Sequence, residues 1–195
     1  MTHAIPTPMM DMLRNRFIGN RVASDTPTVY CMAGIPGSGK STYVDTAIAC
    51  GDFPADAFIL NPDRVMEALP AYHDDVAALG AAAAFEKWEM PCRTLAYDFL
   101  DQAATLRLDI IKDMGCARQE NYDMLARLKS MGYRLHMVHL DCPIDLALAR
   151  IQTRARHTPV AMVHDRAQSL AALLPRYRDL ADHFTVIAIL QKQAA

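Results

Sequence analysis

No run in this 195-residue chain approaches membrane-spanning length; the most apolar stretch, Ala77–Ala84, is short and is interrupted by Gly80. A dominant charge is also missing. The formal net charge is -2, so no global basic field recruits an extended nucleic acid. The five cysteines (Cys31, Cys50, Cys92, Cys116, Cys142) are odd in number and irregular in spacing, which excludes a disulfide framework and a zinc pattern. Most fall in or beside expected core elements and read as small buried hydrophobes, which suits a reducing, cytosolic compartment. The seven histidines show no metal-ligand spacing either. The N-terminal residues carry two prolines and lack the basic-then-apolar pattern of a secretory signal.

What is present is an ordinary globular composition, 52% apolar and 22% charged, in a chain long enough to bury a sizeable core. Without repeats, low-complexity tracts or an evident linker, the expectation is one domain over residues 1–195. Residues 1–27 read as an N-terminal extension and 154–162 as a lid loop. The most informative stretch is Gly34-Ile35-Pro36-Gly37-Ser38-Gly39-Lys40-Ser41, which fits G-x-x-x-x-G-K-[ST] at every fixed position. An apolar strand precedes it and a helix follows it, the context the pattern needs. Glycines let backbone N–H groups turn against phosphate oxygens, and the following helix points its positive end at the same anion. Gly34, Pro36, Gly37, Ser38, Gly39, Lys40, Ser41 and Thr42 are the expected nucleotide-binding residues. Lys40 reaches the β and γ phosphates, and the Ser41 hydroxyl ligates Mg²⁺.

The elements expected around this loop are a helix over Met9–Ile18, strands at Thr28–Ala33, Phe58–Asn61, Leu106–Ile111, Arg134–Leu140 and Phe184–Ile189, and helices between them. Arg64–Leu69 reads as a short helix. Asp74–Ala104 reads as largely helical with a kink or break at Pro91, and Gln119–Ser130 as an amphipathic helix. Another helix runs to about Ala155, and Val160–Ala181 is helical with a break at Pro175. Alternating strands and helices predict an α/β fold: a parallel five-stranded sheet flanked by helices, with the phosphate loop at the carboxyl ends of the strands.

Four groups of side chains are placed to do chemistry. Asp63 follows the second strand in Asn61-Pro62-Asp63-Arg64 and is either the base for an acceptor hydroxyl or the N-cap of the next helix. Asp113, with one residue between it and the expected third strand, either holds Mg²⁺ or is a loop aspartate exposed to water; Asp109 suits the metal less because it falls within the expected strand. Arg150 and Arg154 share a face of one expected helix and Arg156 follows in the loop, either as a solvated basic face or as a lid that neutralises a transferring phosphoryl group. Glu89 and Arg93, four apart beside Trp88, form either a surface pair or the wall of an acceptor pocket.

With the phosphate loop, Asn61-Pro62-Asp63 and the Arg150–Arg156 cluster in hand, the chain resembles the zeta toxin family of small kinases. Gly132-Tyr133-Arg134, a strand, and then Leu146-Ala147-Leu148-Ala149-Arg150 are similar to that family too, and the similarity covers roughly Thr28 to Ile187. The resemblance implies a nucleoside-kinase-like P-loop fold and ATP- and Mg²⁺-dependent phosphorylation of a small-molecule hydroxyl. Well-known members act on UDP-N-acetylglucosamine, and toxic members pair with an antitoxin. It also implies that Lys40 and Ser41 bind phosphates and metal, that Asp63 is the base, and that Arg150 with Arg154 or Arg156 clamps the γ-phosphate. The sequence departs from the family where Asp113-Met114-Gly115-Cys116 lacks the usual threonine, and where Arg154-Ala155-Arg156-His157-Thr158-Pro159 compresses the lid. The competing expectations are a kinase for a polynucleotide 5′ end or another nucleotide, and a nucleotide-dependent switch. The absence of an N-K-x-D sequence lowers the GTPase form of that switch.

Overall fold

The computed structural model describes residues 5–153 and 158–190. Helix α1 (Thr7–Phe17) precedes strand β1 (Thr28–Ala33), which leads through the glycine-rich loop into α2 (Lys40–Cys50). Strand β2 (Phe58–Leu60) is followed by α3 (Pro62–Glu67), α4 (Pro70–Leu79) and α5 (Ala81–Thr105). Strand β3 (Ile110–Lys112), α6 (Gln119–Ser130), β4 (Arg134–Asp141), α7 (Ile144–Gln152), α8 (Val160–Leu180) and β5 (His183–Ala188) complete the order.

The five strands form one sheet in the order β2-β3-β1-β4-β5, and every pairing is parallel. A parallel sheet covered on both faces needs apolar residues at successive positions, which is why its strands read as continuous apolar runs. The period-2 alternation then sorts them. Val29, Cys31, Ala33, Phe58, Leu60, Ile110 and Met137 enter the larger core, together with buried residues of α1, α5, α6 and α8. Met32, Ile111, Val138 and Leu140 enter the smaller core under α2, with Val44, Ala47 and Phe53. The N-terminal extension joins the larger core: Leu13, Phe17 and Ile18 are buried, and Phe17 stacks on Phe99 of α5.

Several elements differ from expectation, each for a physical reason. The third strand lies further along the chain: Leu106 and Arg107 form a turn with Arg107 at φ 55°, and β3 ends in Lys112. Asp109 therefore precedes β3 instead of lying in it, and accepts a hydrogen bond from Thr28 N at 2.7 Å, at the amino ends of the strands. Helix α5 runs unbroken through Pro91, because Trp88, Cys92, Leu95 and Phe99 bury one stripe on both sides of the proline. The break falls at Gly80 instead, whose φ of 84° and ψ of 158° separate α4 from α5. Helix α8 likewise continues through Pro175, held by buried Leu170 and Tyr177. Helix α7 stops at Gln152, short of Ala155, while α8 begins at Val160, inside the expected lid loop. Arg154 and Arg156 lie outside the described residues.

Candidate active site

The carboxyl ends of β1, β2 and β3 are adjacent in the sheet, so the segments that follow them meet on one rim. After β1 the chain makes the phosphate loop, with Gly37 at φ 84° and Gly39 at φ 94°, both left-handed. Gly37 also lacks room: a Cβ there would lie 2.4 Å from the Ala147 carbonyl oxygen. Gly34 is closed in similarly, by Ser38 Oγ at 2.6 Å and Leu140 O at 3.3 Å from a built Cβ. The loop therefore runs pressed against α7 and β4, a fit that only glycine permits. It ends on the N-terminus of the eleven-residue α2, whose first turn holds no acid to compete for an anion.

Lys40 folds back along the loop and donates from Nζ to the carbonyls of Gly34 at 3.1 Å and Ile35 at 2.9 Å. Ser41, one residue on, donates from Oγ to Oδ1 of Asp113 at 3.1 Å. Asp113 sits immediately after β3, and its side chain is fully buried. Burial raises its pKa above the ordinary carboxylate range, opposed by hydrogen bonds from Asn61 and Ser41 and by the charges of Arg64 and Lys40.

The second strand supplies the rest. Asn61, buried at the end of β2, donates from Nδ2 to Asp113 Oδ2 at 2.8 Å. Its Oδ1 accepts from the backbone N–H of Asp63 at 2.9 Å, which caps α3. The cap of α3 is thus Asn61, not Asp63, which leaves the Asp63 carboxylate for other contacts. Across from it on α5, burial, and then the charge of Asp63, push the Cys92 thiol up to about 12. Ser41, Asp113, Asn61 and Asp63 thus form one connected series across three strand ends. Arg64 stands beside it, paired with Asp45 of α2 and 3.8 Å from Asp113 Oδ2.

Glu89 and Arg93 flank Cys92 on α5 and pair with each other at 2.9 Å, both about one-third exposed. Arg150 on α7 donates from Nη1 to the Ser38 carbonyl at 3.5 Å, a long contact that leans the guanidinium over the loop. Two participants escaped the sequence reading. Asn61 carried a signal, as a cap-type residue between a strand and Pro-Asp. Arg64 carried none, because its partners come from α2 and from the segment just after β3.

The donor set fits a hard divalent cation. Ser41 Oγ and Asp113 Oδ1 are adjacent oxygens at a helix N-terminus, and Mg²⁺ asks few protein ligands because substrate phosphates and water supply the remainder. Among the described residues no cluster of three His, Cys, Asp or Glu competes as a metal site.

Solved structures with this fold include a chain of a toxin–antitoxin system and a gluconokinase. A chain of the PezAT toxin–antitoxin system of Streptococcus pneumoniae superposes with a TM-score of 0.68 at 13% identity, over 94% of this chain and 78% of that one. AvrRxo1-ORF1:-ORF2 with ATP gives the same TM-score at 13% identity, over 94% of this chain and 62% of that one, so this chain spans less than two-thirds of that relative. A gluconokinase from Sinorhizobium meliloti 1021 gives 0.51 at 14% identity, over 86% of each chain. No curated protein sequence matches significantly. At these identities the structural likeness establishes the fold alone, a five-stranded parallel sheet flanked by helices with a phosphate loop after its first strand. The Zeta toxin family model matches residues 16–193, nearly the whole chain, and the chain belongs to the zeta toxin family.

Proposed function

We propose that this chain is an ATP- and Mg²⁺-dependent kinase that transfers the γ-phosphoryl group to a hydroxyl of a small molecule, with a nucleotide sugar such as UDP-N-acetylglucosamine as the leading acceptor. The observation that carries this reading is the series Ser41–Asp113–Asn61, which ends on the backbone N–H of Asp63 and so holds that residue beside the phosphate loop. A nucleotide-binding switch needs the first two residues but has no use for Asp63.

Phosphoryl transfer asks the protein for positioning and charge neutralisation more than covalent chemistry. The amides of Gly37, Ser38, Gly39 and Lys40 face the phosphates, and Lys40 exchanges its carbonyl partners for β and γ oxygens. Ser41 and Asp113 would hold Mg²⁺, which would supply positive charge against the phosphates. Asp63 accepts the proton of the acceptor hydroxyl as its oxygen bonds to the γ phosphorus and the bond to the ADP oxygen breaks. Arg150, together with Arg154 or Arg156, neutralises the transferring group. Glu89 and Arg93, one helical turn apart beside Cys92, line the side where the acceptor enters. The free thiols suit a reducing cytosolic compartment. The toxin–antitoxin setting of the PezAT relative supports an antitoxin protein as a partner.

The test is incubation with labelled ATP against a panel of nucleotide sugars, nucleosides, sugars and a 5′-hydroxyl oligonucleotide. A phosphorylated product that disappears in Asp63→Asn is the expected result. ATP hydrolysis that no acceptor stimulates would replace this reading with a switch.

A further inference from the structure

Beneath the phosphate loop lies a cluster that the proposed chemistry does not use. Cys31 of β1 and Cys116, in the loop after β3, are both fully buried, with their sulfurs 3.2 Å apart. Lys112, at the end of β3, is fully buried too. Its Nζ donates to the carbonyls of Met114 and Gly115, both at 3.2 Å, and approaches Cys116 Sγ at 3.4 Å. No carboxylate pairs with Lys112 among the described salt bridges, so besides the two carbonyls its ammonium has the Cys116 sulfur, which also lies 3.4 Å from the Met32 carbonyl oxygen. An adjacent ammonium favours the thiolate, the form of cysteine that attacks electrophiles.

We propose that Cys31 and Cys116 are a reversible disulfide-forming pair, oxidised by hydrogen peroxide, whose closure disables the nucleotide site. The Cys116 thiolate attacks one peroxide oxygen and breaks the O–O bond, giving a sulfenic acid and a hydroxide that takes up the proton Cys116 released. The sulfur of Cys31 then attacks the sulfenic sulfur and expels hydroxide, which leaves as water with the Cys31 proton. Two thiols and one peroxide become one disulfide and two waters.

The location gives the bond its consequence. Cys31 lies three residues before Gly34, and Cys116 three residues after Asp113. Bonding draws the sulfurs from 3.2 Å to about 2.05 Å. That movement is passed on, because Gly115 packs on Gly34: a Cβ on Gly115 would sit 3.2 Å from the Gly34 carbonyl oxygen. Oxidation also removes the negative sulfur from Lys112, whose ammonium holds the two carbonyls that follow Asp113.

The experiment treats the reduced, folded chain with graded peroxide, maps disulfides by mass spectrometry without reduction, and measures Mg·ATP affinity by calorimetry before and after dithiothreitol. The expected map joins the Cys31 and Cys116 peptides while the exposed Cys50 stays outside the bond. Affinity falls on the order of tenfold and returns on reduction. In Cys31→Ser the cross-link is lost and Cys116 becomes trappable by a sulfenic-acid reagent; should that variant misfold, the wild-type map alone decides. A disulfide through Cys50, Cys92 or Cys142, no disulfide at doses that oxidise Cys50, or a cross-linked protein with unchanged affinity would each overturn the proposal. If the reduced chain itself does not bind Mg·ATP, the kinase reading fails, while the cross-link map still tests the pair.

Discussion

At the residue scale the site turns on two neighbours with different tasks. Asp63 has its backbone N–H bonded to Asn61, so Asp63→Asn keeps that hydrogen bond and removes only the charge. Acceptor phosphorylation should fall by roughly 10²–10⁴ in kcat, the usual worth of a general base, with the thermal midpoint nearly unchanged. Steady-state kinetics with the identified acceptor, alongside calorimetric melting, checks both halves; near-normal turnover would remove Asp63 from the base role. Asn61→Ala should behave differently. It takes a donor from the buried Asp113 carboxylate and the cap from α3, so stability drops by about 1–3 kcal/mol and activity falls with it. Paired chemical denaturation and turnover measurements separate the two variants: one loses rate alone, the other loses both.

Asp63 was legible from Asn-Pro-Asp after an apolar strand, with base and N-cap both open, but the cap of α3 falls two residues earlier, on Asn61. The side chain two residues back reaches the helix N-terminus as easily, and only coordinates distinguish the two. The Glu89–Arg93 pair was legible as an i,i+4 pair and nothing more. Whether that pair is a surface pair or a pocket wall depends on what packs beside it, here α3 carrying Asp63, whose charge acts on Cys92, and spacing within one helix carries no trace of that.

At the element scale, the phosphate loop is a strand-to-helix turn whose path is set by what presses on it. Gly37 tests this. Gly37→Ala forces a side chain into the left-handed region and drives its Cβ onto the Ala147 carbonyl, so either the loop or the start of α7 must move. The expected cost is roughly 1–3 kcal/mol of stability with a clear loss of Mg·ATP affinity. Calorimetric titration and urea unfolding measure the two effects, and a variant with wild-type affinity would show that α7 does not constrain the loop. The two helices misread from sequence fail for one shared reason. Pro91 and Pro175 are local breakers, yet each lies in a helix whose apolar stripe continues on both sides, and tertiary burial outweighs the lost backbone bond. The third strand slipped because Leu106 and Leu108 look like strand residues, while the true strand ends in Lys112, a charge that sequence reasoning places outside a core.

At the scale of the whole molecule, the number and parallel direction of the strands follow from apolar runs alternating with helices. The order β2-β3-β1-β4-β5 does not, because nothing in a run says which neighbour it will pair with. That order makes the site: β3 inserts between β1 and β2, which carries Asp113 to Ser41 on one side and to Asn61 on the other. A nucleotide held there bonds to loops from separate strands and to no unfolded chain, so ligand and fold must be thermodynamically linked. Mg·ATP at a hundred times its Kd should add about 2.7 kcal/mol. For a chain of 195 residues that corresponds to a rise in Tm of roughly 5–10 °C. The rise should require the metal and shrink strongly in Lys40→Ala and in Asp113→Ala, although these residues come from different strands. Thermal scans over a nucleotide series, with and without magnesium, make the measurement. If Lys40→Ala abolishes the shift while Asp113→Ala leaves it whole, the phosphate loop binds ATP alone and the coupling through β3 is wrong.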